Sequence, residues 1–207
     1  MVKPGTRALG IAESTADDHC LLCGAVVRAD RAVDGVGFAS ATVGGLDATD
    51  AVLRLLDRLD RDDIRYLLVS GVAPAWFNLL NLDRIAEAAD RPVCSVSYEA
   101  SPGLAPAIHR AFDGDGRAKR LAVYDRLPPR RRVGVNGETV FVRSVGLGNG
   151  DAAHHRDDGS APTAPAEVAR VIRAYTPAGG RPEPVRVARL VARGGQAWRA
   201  GDADRHG

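Results

Sequence analysis

The sequence predicts an α/β fold built on a mixed β-sheet. Two observations support this prediction. Residues 7–43 contain three β-rich segments in succession, and residues 47–112 alternate helix-like with strand-like segments. Strands joined by short turns pair in an antiparallel manner, whereas strands separated by helices pair in parallel. An antiparallel meander that continues into an α/β unit therefore accounts for both patterns.

The first three strands are predicted at 7–11, 21–29 and 33–43. The first is a short apolar run that is followed by Glu13, and the other two flank Asp30-Arg31. A polar pair between two β-rich runs indicates a hairpin.

A helix is predicted at 47–59, because apolar residues recur there at spacings of three and four. Asp47 is a suitable N-cap, and Asp50 follows three residues later, as in a capping box. Acidic side chains therefore gather where the third strand gives way to the first helix.

The later segments continue the alternation. The uninterrupted apolar run at 65–72 is typical of a buried parallel strand. Further strands are predicted at 92–98, 133–135 and 139–145, the last two joined by the hairpin pair Asn136-Gly137. Further helices are predicted at 78–89, 103–112, 117–127, 167–175 and within 181–193. Three antiparallel strands followed by alternating helices and strands is the order of the ribonuclease H-like fold.

The domain organisation expected from length and composition is simple. At 207 residues and 45% hydrophobic content, the chain suits one domain over 1–193. The segment 147–165 is rich in Gly, Asp, Ala and Pro and predicts a flexible loop, and 194–207 predicts a frayed tail.

Composition also excludes several classes of protein. No apolar run approaches the roughly 20 residues that span a bilayer, and the start lacks the apolar core of a signal peptide. We therefore expect a cytoplasmic protein with no membrane partner. Cys20, Cys23 and Cys94 are too few for a disulfide framework, and Cys20 and Cys23 lack the second ligand pair of a structural zinc site. The oligomeric state is left open.

Positive charge is carried almost entirely by arginine. The net charge is +2, and Lys3 and Lys119 are the only lysines among the 28 basic residues. Arginine binds phosphate in a bidentate manner, although coding bias explains the same preference. Arg131, within the run 130–132, is a candidate contact of a nucleic-acid backbone, and its alternative is a solvated surface charge.

Two further features suggest nucleic-acid contacts. Trp76 follows the break at Pro74 and either stacks on a displaced base or closes the top of the sheet. Arg181 and Arg186 flank a Pro-Glu-Pro sequence at a helix start, where anions are favoured. A phosphate-facing role and simple helix initiation both remain open for these two arginines.

Three acidic residues are predicted to converge on one edge of the sheet: Glu13, Asp47 and Asp50. Hard divalent cations prefer carboxylate oxygens and can clamp the attacking and leaving oxygens of a phosphodiester. We predict that the three are catalytic and that Glu13 and Asp47 bind Mg²⁺ or Mn²⁺. Their alternatives are a loop charge for Glu13 and helix capping for the two aspartates. His154 and His155 are a further, separate pair of candidate metal ligands.

Four stretches, 3–14, 25–56, 66–78 and 179–192, together resemble the archaeal endonuclease dU family, a distant relative of endonuclease V. The sequence GGLDATD at 44–50 and the pattern PEPxRxA from 182 resemble the family's signatures. The resemblance implies a ribonuclease H-like fold and Mg²⁺-dependent cleavage of DNA that contains deoxyuridine, as in the repair of deaminated cytosine.

The chain departs from the catalytic set of endonuclease V. The first-strand Asp, the Glu entering the first helix, the fourth-strand Asp and a C-terminal His align with residues that are not metal ligands: Ala12, Gly44, Ser70 and Gly180. Either Glu13, Asp47 and Asp50 form a different set, or the chain is a nucleic-acid-binding or regulatory protein that does not cleave. A small-molecule binder that uses the carboxyl ends of the strands is a third possibility.

Overall fold

The computed structural model describes residues 1–148 and 162–206, with side chains described as far as residue 201. Within these ranges seven strands form one sheet in the order β3-β2-β1-β4-β5-β7-β6. The strands are β1 (Arg7–Ala16), β2 (His19–Arg28), β3 (Val33–Thr42), β4 (Ile64–Ser70), β5 (Val93–Ser97), β6 (Arg131–Val135) and β7 (Glu138–Val145). The helices are α1 (Ala48–Leu59), α2 (Pro74–Phe77), α3 (Leu82–Ala89), α4 (Ala105–Ala111), α5 (Gly114–Tyr124), α6 (Ala166–Ala174) and α7 (Glu183–His206).

The sheet is mixed, as the sequence predicts. Strands β1, β2 and β3 form an antiparallel meander, and β1, β4 and β5 pair in parallel through helical connections. Strand β7 then pairs antiparallel with both β5 and β6. The predicted β6–β7 hairpin is confirmed, because Asn136 and Gly137 at its turn both have positive φ, 50° and 81°.

Both faces of the sheet are buried. Along β1, Leu9 and Ile11 pack on the side of α1 and α3, while Ala8 and Ala12 pack on the side of α6 and α7. This alternation follows from the two-residue period of a strand.

The outer edge of β3 is capped by arginine side chains. Arg54 donates to the carbonyl oxygen of Ser40 at 3.0 Å, and Arg58 donates to that of Phe38 at 2.8 Å. Since unpaired edge carbonyls promote pairing with other chains, these bonds protect the edge.

The sequence places a frayed tail at 194–207, whereas the structure continues α7 through it to His206. The first residues of this extension pack against the meander. A Cβ atom added to Gly195 would lie 2.9 Å from Leu21 Cδ2 and 3.3 Å from Phe38 Cε1. The glycine that indicates a helix end in the sequence instead permits close contact between α7 and the sheet.

The predicted loop at 147–165 is described only at its ends. On its far side the chain rejoins the sheet, because Arg132 N donates to Pro162 O at 2.7 Å and Ala164 N donates to Arg132 O at 2.8 Å. His154 and His155 lie outside the described residues, so metal binding by this pair stays a prediction. No helix among the described residues is long and apolar enough to cross a membrane.

Candidate functional site

A cavity of about 430 Å³ opens at the carboxyl ends of the parallel strands. Ser70 ends β4 and Ser97 ends β5, and both line the cavity together with Glu13 of β1. Ligands of α/β sheets commonly bind outside the carboxyl ends of the strands, so topology alone makes this cavity the candidate site.

Four arginines from three parts of the chain line this cavity: Arg130, Arg143, Arg181 and Arg189. We call them the cavity arginines. Among the described residues, none of the four forms an ion pair with a carboxylate. Guanidinium groups without a carboxylate partner favour an anionic ligand, because such a ligand offsets the cost of removing the charge from water.

Arg130 and Arg143 are held by neutral oxygens and aromatic rings. Arg130 donates to Ser97 Oγ at 3.2 Å and to Ser101 O at 3.1 Å. Arg143 is only 9% exposed and donates to Pro128 O and to the hydroxyl of Tyr124. Burial lowers the pKa of both arginines, and for Arg130 the charge of Arg143 contributes as well. Both charges are therefore fixed in place at the cavity wall.

Arg181 lies two residues before α7 and Arg189 lies within it, and both reach the cavity. The Arg181 guanidinium lies 4.6 Å from the centre of the Tyr98 ring, and Arg189 Nη2 donates to Ser70 Oγ at 3.4 Å. Arg189 Nε and the Tyr98 hydroxyl are buried and have no hydrogen-bond partner among the described residues. Buried polar atoms of this kind mark a place where a ligand or water completes the hydrogen bonding.

Glu13 also lies on the cavity wall and has local partners. Its carboxylate accepts hydrogen bonds from the Thr15 hydroxyl and, at 3.5 Å, from the Cys20 thiol. Burial raises the pKa of Cys20 to about 12, and the negative charge of Glu13 contributes to the shift. The thiol therefore stays protonated at neutral pH and acts as a donor to Glu13.

Asp47 precedes α1, as predicted, but it does not cap the helix with its side chain. Asn78 Nδ2 donates to Asp47 Oδ1 at 2.7 Å, and the backbone and hydroxyl of Thr42 donate to the same carboxylate. The first backbone N–H of α1, that of Ala48, is instead capped by Asn78 Oδ1 at 2.8 Å. The predicted capping box is therefore wrong, because a buried amide from a later loop takes the capping position.

Asp50 pairs with Arg84 at 2.7 Å. Glu13 and Asp47 both lie near Cys20, because the negative charges of both contribute to the raised pKa of its thiol. The catalytic role of the three acids stays a prediction. Among the described residues, no group of three or more His, Cys, Asp or Glu side chains is placed to hold a metal ion. Mg²⁺ binds several oxygen ligands, and of the predicted carboxylates only Glu13 lines the cavity, beside the four arginines, so metal binding here stays a prediction.

The remaining predicted residues occupy different environments. Arg181 lines the cavity, whereas Arg186 is bound to Glu183 by two hydrogen bonds of 2.6 and 2.7 Å. Arg131 opens β6 opposite Val142, and its neighbour Arg130 is the one that reaches the cavity.

Sequence reasoning missed Arg143 and Arg189 as site residues. Arg143 had a detectable signal, since a charged residue inside the apolar strand run 139–145 requires a buried partner or a function. Arg189 had none, because it occupies the polar side of an amphipathic helix, where arginine is common.

The hydrogen bonds to Asp47 predict a pH-dependent contribution to stability. Burial raises the pKa of Asp47, but the bonds from Asn78 and Thr42 outweigh it and leave the pKa below its usual value. A lowered pKa stabilises the fold above the unfolded-state value of about 3.9, and this contribution is lost as pH falls through the folded-state value. Asp47→Ala should therefore lower the free energy of unfolding by about 1–3 kcal/mol at neutral pH, and by less near pH 3.

Urea denaturation of wild type and variant at both pH values checks this expectation. Asp50→Ala is the control, since its ion pair with Arg84 is exposed and should contribute under about 1 kcal/mol. If Asp47→Ala lowers the free energy of unfolding by the same amount at both pH values, the hydrogen bonds to Asp47 do not make stability depend on pH.

Comparisons with known proteins agree with this architecture. The family model described as Endonuclease dU matches residues 4–158. A UPF0215 protein of Methanopyrus kandleri is 32% identical over 200 residues, which cover 93% of this chain and 92% of the relative. A UPF0215 protein of Pyrobaculum calidifontis is 28% identical over 188 residues, with 90% and 94% covered.

Solved structures share the fold. A protein of unknown function from Archaeoglobus fulgidus superposes with a TM-score of 0.74 at 24% identity, covering 90% of this chain and 95% of the other. Endonuclease V from Streptomyces avermitilis gives a TM-score of 0.56 at 17% identity, with 95% and 84% covered. Endonuclease V of Ciona intestinalis, in complex with DNA containing an inosine, gives 0.51 at 10% identity, with 98% and 87% covered. The predicted ribonuclease H-like fold is confirmed.

Proposed function

The chain belongs to the endonuclease dU family, and on this premise we propose that it is a nuclease that hydrolyses a phosphodiester bond in DNA containing deoxyuridine. Its cellular setting in this proposal is the repair of deaminated bases in the cytoplasm. The family supplies the class of reaction and the lesion. The observation in the fold that supports a nucleic-acid substrate is the cavity with four arginines that lack carboxylate partners.

The cavity arginines have the chemistry to bind a phosphodiester. Guanidinium groups donate two parallel hydrogen bonds to phosphate oxygens, and these bonds are stronger than those between neutral groups. Arg189 Nε and the Tyr98 hydroxyl are unpartnered at this wall and would add hydrogen bonds to the same anion. Glu13 is the one predicted catalytic carboxylate on the wall, which gives it the position to orient or deprotonate a water molecule.

Dependence on Mg²⁺ or Mn²⁺ stays a prediction. Of the two predicted ligands only Glu13 lines the cavity, and the carboxylate of Asp47 accepts hydrogen bonds from Asn78 and Thr42. We therefore derive no step of the reaction through a metal ion.

A second candidate function is nucleic-acid binding without cleavage. It is favoured by the two positions that align with strand aspartates of endonuclease V. Here Ala12 is buried in the core and the hydroxyl of Ser70 is bonded to Arg189, so neither position supplies a carboxylate. In this version the cavity arginines bind the same DNA, but no hydrolysis follows.

The test uses a labelled duplex with one deoxyuridine and a matched duplex with deoxycytidine, each incubated with Mg²⁺, with Mn²⁺ or with a chelator. We expect binding that weakens steeply with salt, and cleavage of the deoxyuridine duplex only. Binding without cleavage under every condition would select the second candidate. Absence of binding to either duplex would contradict both and would leave the small-molecule site as the remaining alternative.

The role of Glu13 is tested in the same assay. Glu13→Gln should reduce cleavage by about 100-fold or more, because general acid–base groups contribute roughly that much. Asp50→Asn is the matched control, since Asp50 faces Arg84, and should leave cleavage unchanged. Equal cleavage by Glu13→Gln and wild type would remove Glu13 from the mechanism.

A further inference from the structure

The loop after β4 holds an exposed tryptophan in an unfavourable backbone conformation. Ala75, Trp76 and Phe77 in α2 all have positive φ, 48°, 58° and 56°. Residues with a Cβ atom avoid this left-handed region, and a run of them persists only where the surroundings determine it strongly. Trp76 is nevertheless 62% exposed, so the conformation does not serve to bury the indole.

The side chain of Arg120 binds this turn through hydrogen bonds. Although Arg120 is only 3% exposed, it has no carboxylate partner among the described residues, and its donors bind backbone carbonyl oxygens. Its Nε donates to Phe77 O at 3.1 Å, and its Nη2 donates to the carbonyl oxygens of Gly44 and, at 3.1 Å, Gly45. The guanidinium group also lies 3.7 Å from the centre of the Phe112 ring. The buried guanidinium group of Arg120 therefore joins the turn at Phe77 to the loop at Gly44 and Gly45, which precedes α1.

Two further contacts fix the same turn. Gly44 N donates to Ala75 O at 2.8 Å, and the side chain of fully buried Asn78 donates to Thr42 O at 2.9 Å. The Phe77 ring packs edge-on against the Trp76 ring, with centroids 5.4 Å apart. Backbone and ring neighbours therefore restrain Trp76 while most of its side chain stays in solvent.

We propose that Trp76 is a base-stacking site for an unpaired nucleobase and that Arg120 is the residue that positions it. This inference rests on the proposed function, because the base belongs to the DNA whose phosphates bind the cavity arginines. The two sites are continuous, since Val72, Ala73 and Pro74 of the same loop line the cavity. A restrained aromatic ring stacks on any base with little loss of conformational entropy.

Fluorescence tests the site directly. The chain contains two tryptophans, and Trp198 is 70% exposed on α7, so Trp198→Phe leaves Trp76 as the sole reporter. Titration with an oligonucleotide that has an unpaired deoxyuridine should quench this fluorescence, while the anisotropy of a labelled oligonucleotide measures binding independently. Trp76→Ala should weaken binding about tenfold, as expected for loss of one stacked base, and Trp198→Ala should leave it unchanged.

A double-mutant cycle tests the role of Arg120. Arg120→Ala should weaken binding about as much as Trp76→Ala, and the double variant should be no weaker than either single variant, because both act through one contact. Circular dichroism establishes that the variant is folded. If Arg120→Ala does not fold, Arg120→Lys replaces it in the cycle, and its loss of affinity should likewise disappear in a Trp76→Ala background.

The possible outcomes distinguish failure of the stacking site from failure of the proposed function. Binding measured by anisotropy without quenching of Trp76 would refute the stacking site and leave the cavity proposal intact. Additive losses in the double-mutant cycle would refute the positioning role of Arg120. No binding by anisotropy would instead contradict the proposed function.

Discussion

Replacing Arg181 and Arg189 together with alanine should weaken DNA binding by about 100-fold or more. Hydrogen bonds to charged groups contribute roughly 1.5–3 kcal/mol each, so two lost guanidinium contacts account for this factor. The slope of log affinity against log salt concentration should also become shallower by about 1 for each phosphate contact removed. Anisotropy titrations between about 50 and 200 mM salt measure both quantities.

The matched control is the double variant Arg186→Ala and Arg193→Ala. It removes the same charge from the same part of the chain, but neither residue lines the cavity, and Arg186 is already paired with Glu183. We expect a loss of affinity well below that of the cavity variant. Equal losses in the two variants would mean that the overall charge of α7, and not the cavity, determines affinity.

The order of strands and helices could be predicted because it depends on local periodicity. The apolar run at 65–72 and the hairpin pair Asn136-Gly137 are visible in a few consecutive residues, and both correspond to elements of the structure. The predicted start of α3 was wrong because it depends on a contact that is distant in sequence. The predicted helix begins at 78, whereas Asn78 is buried beside α1 and α3 begins at Leu82 after the N-cap Asn81.

The site was less predictable, because residues distant in sequence build it. Asp47 was correctly placed at the end of a strand, but its partner Asn78 comes from a loop 31 positions away. The cavity is lined by residues of β1, β7 and α7 and of the segments after β4 and β5, and no local pattern specifies how these segments meet. Arg181 was therefore found through its Pro-Glu-Pro context, while Arg189, which lies within α7, was not.

The approach of α7 to β1 accounts for one of the four cavity arginines, because Arg189 lies on this helix. In the sequence, Ser70 stands where a metal-binding carboxylate was expected, and in the structure a guanidinium donor of Arg189 lies 3.4 Å from its hydroxyl. The positive charge at this point of the cavity is thus supplied by a side chain of α7. The position of α7 on β1 therefore determines where Arg189 reaches the cavity.

Gly10→Ala should be the most damaging single substitution for stability. A Cβ atom at Gly10 would lie 2.0 Å from the carbonyl carbon and oxygen of Pro184 and 2.6 Å from Val185 N. These are backbone atoms in the first turn of α7, so no side-chain rotation can relieve the overlap. We expect a loss of about 3 kcal/mol or more, at the upper end for an overpacked core, out of the roughly 5–15 kcal/mol typical of a domain.

Gly134→Ala provides the comparison, because Gly134 also lies within a strand but has no atom within 4 Å of the added methyl group. Urea denaturation should show this variant to be as stable as wild type or slightly more so, since alanine restricts the unfolded chain. Because α7 carries Arg189, the fraction of Gly10→Ala that still folds should also bind DNA more weakly than Gly134→Ala. Equal stability and equal affinity of the two variants would mean that α7 does not rest on β1 at Gly10 and that this contact does not position Arg189.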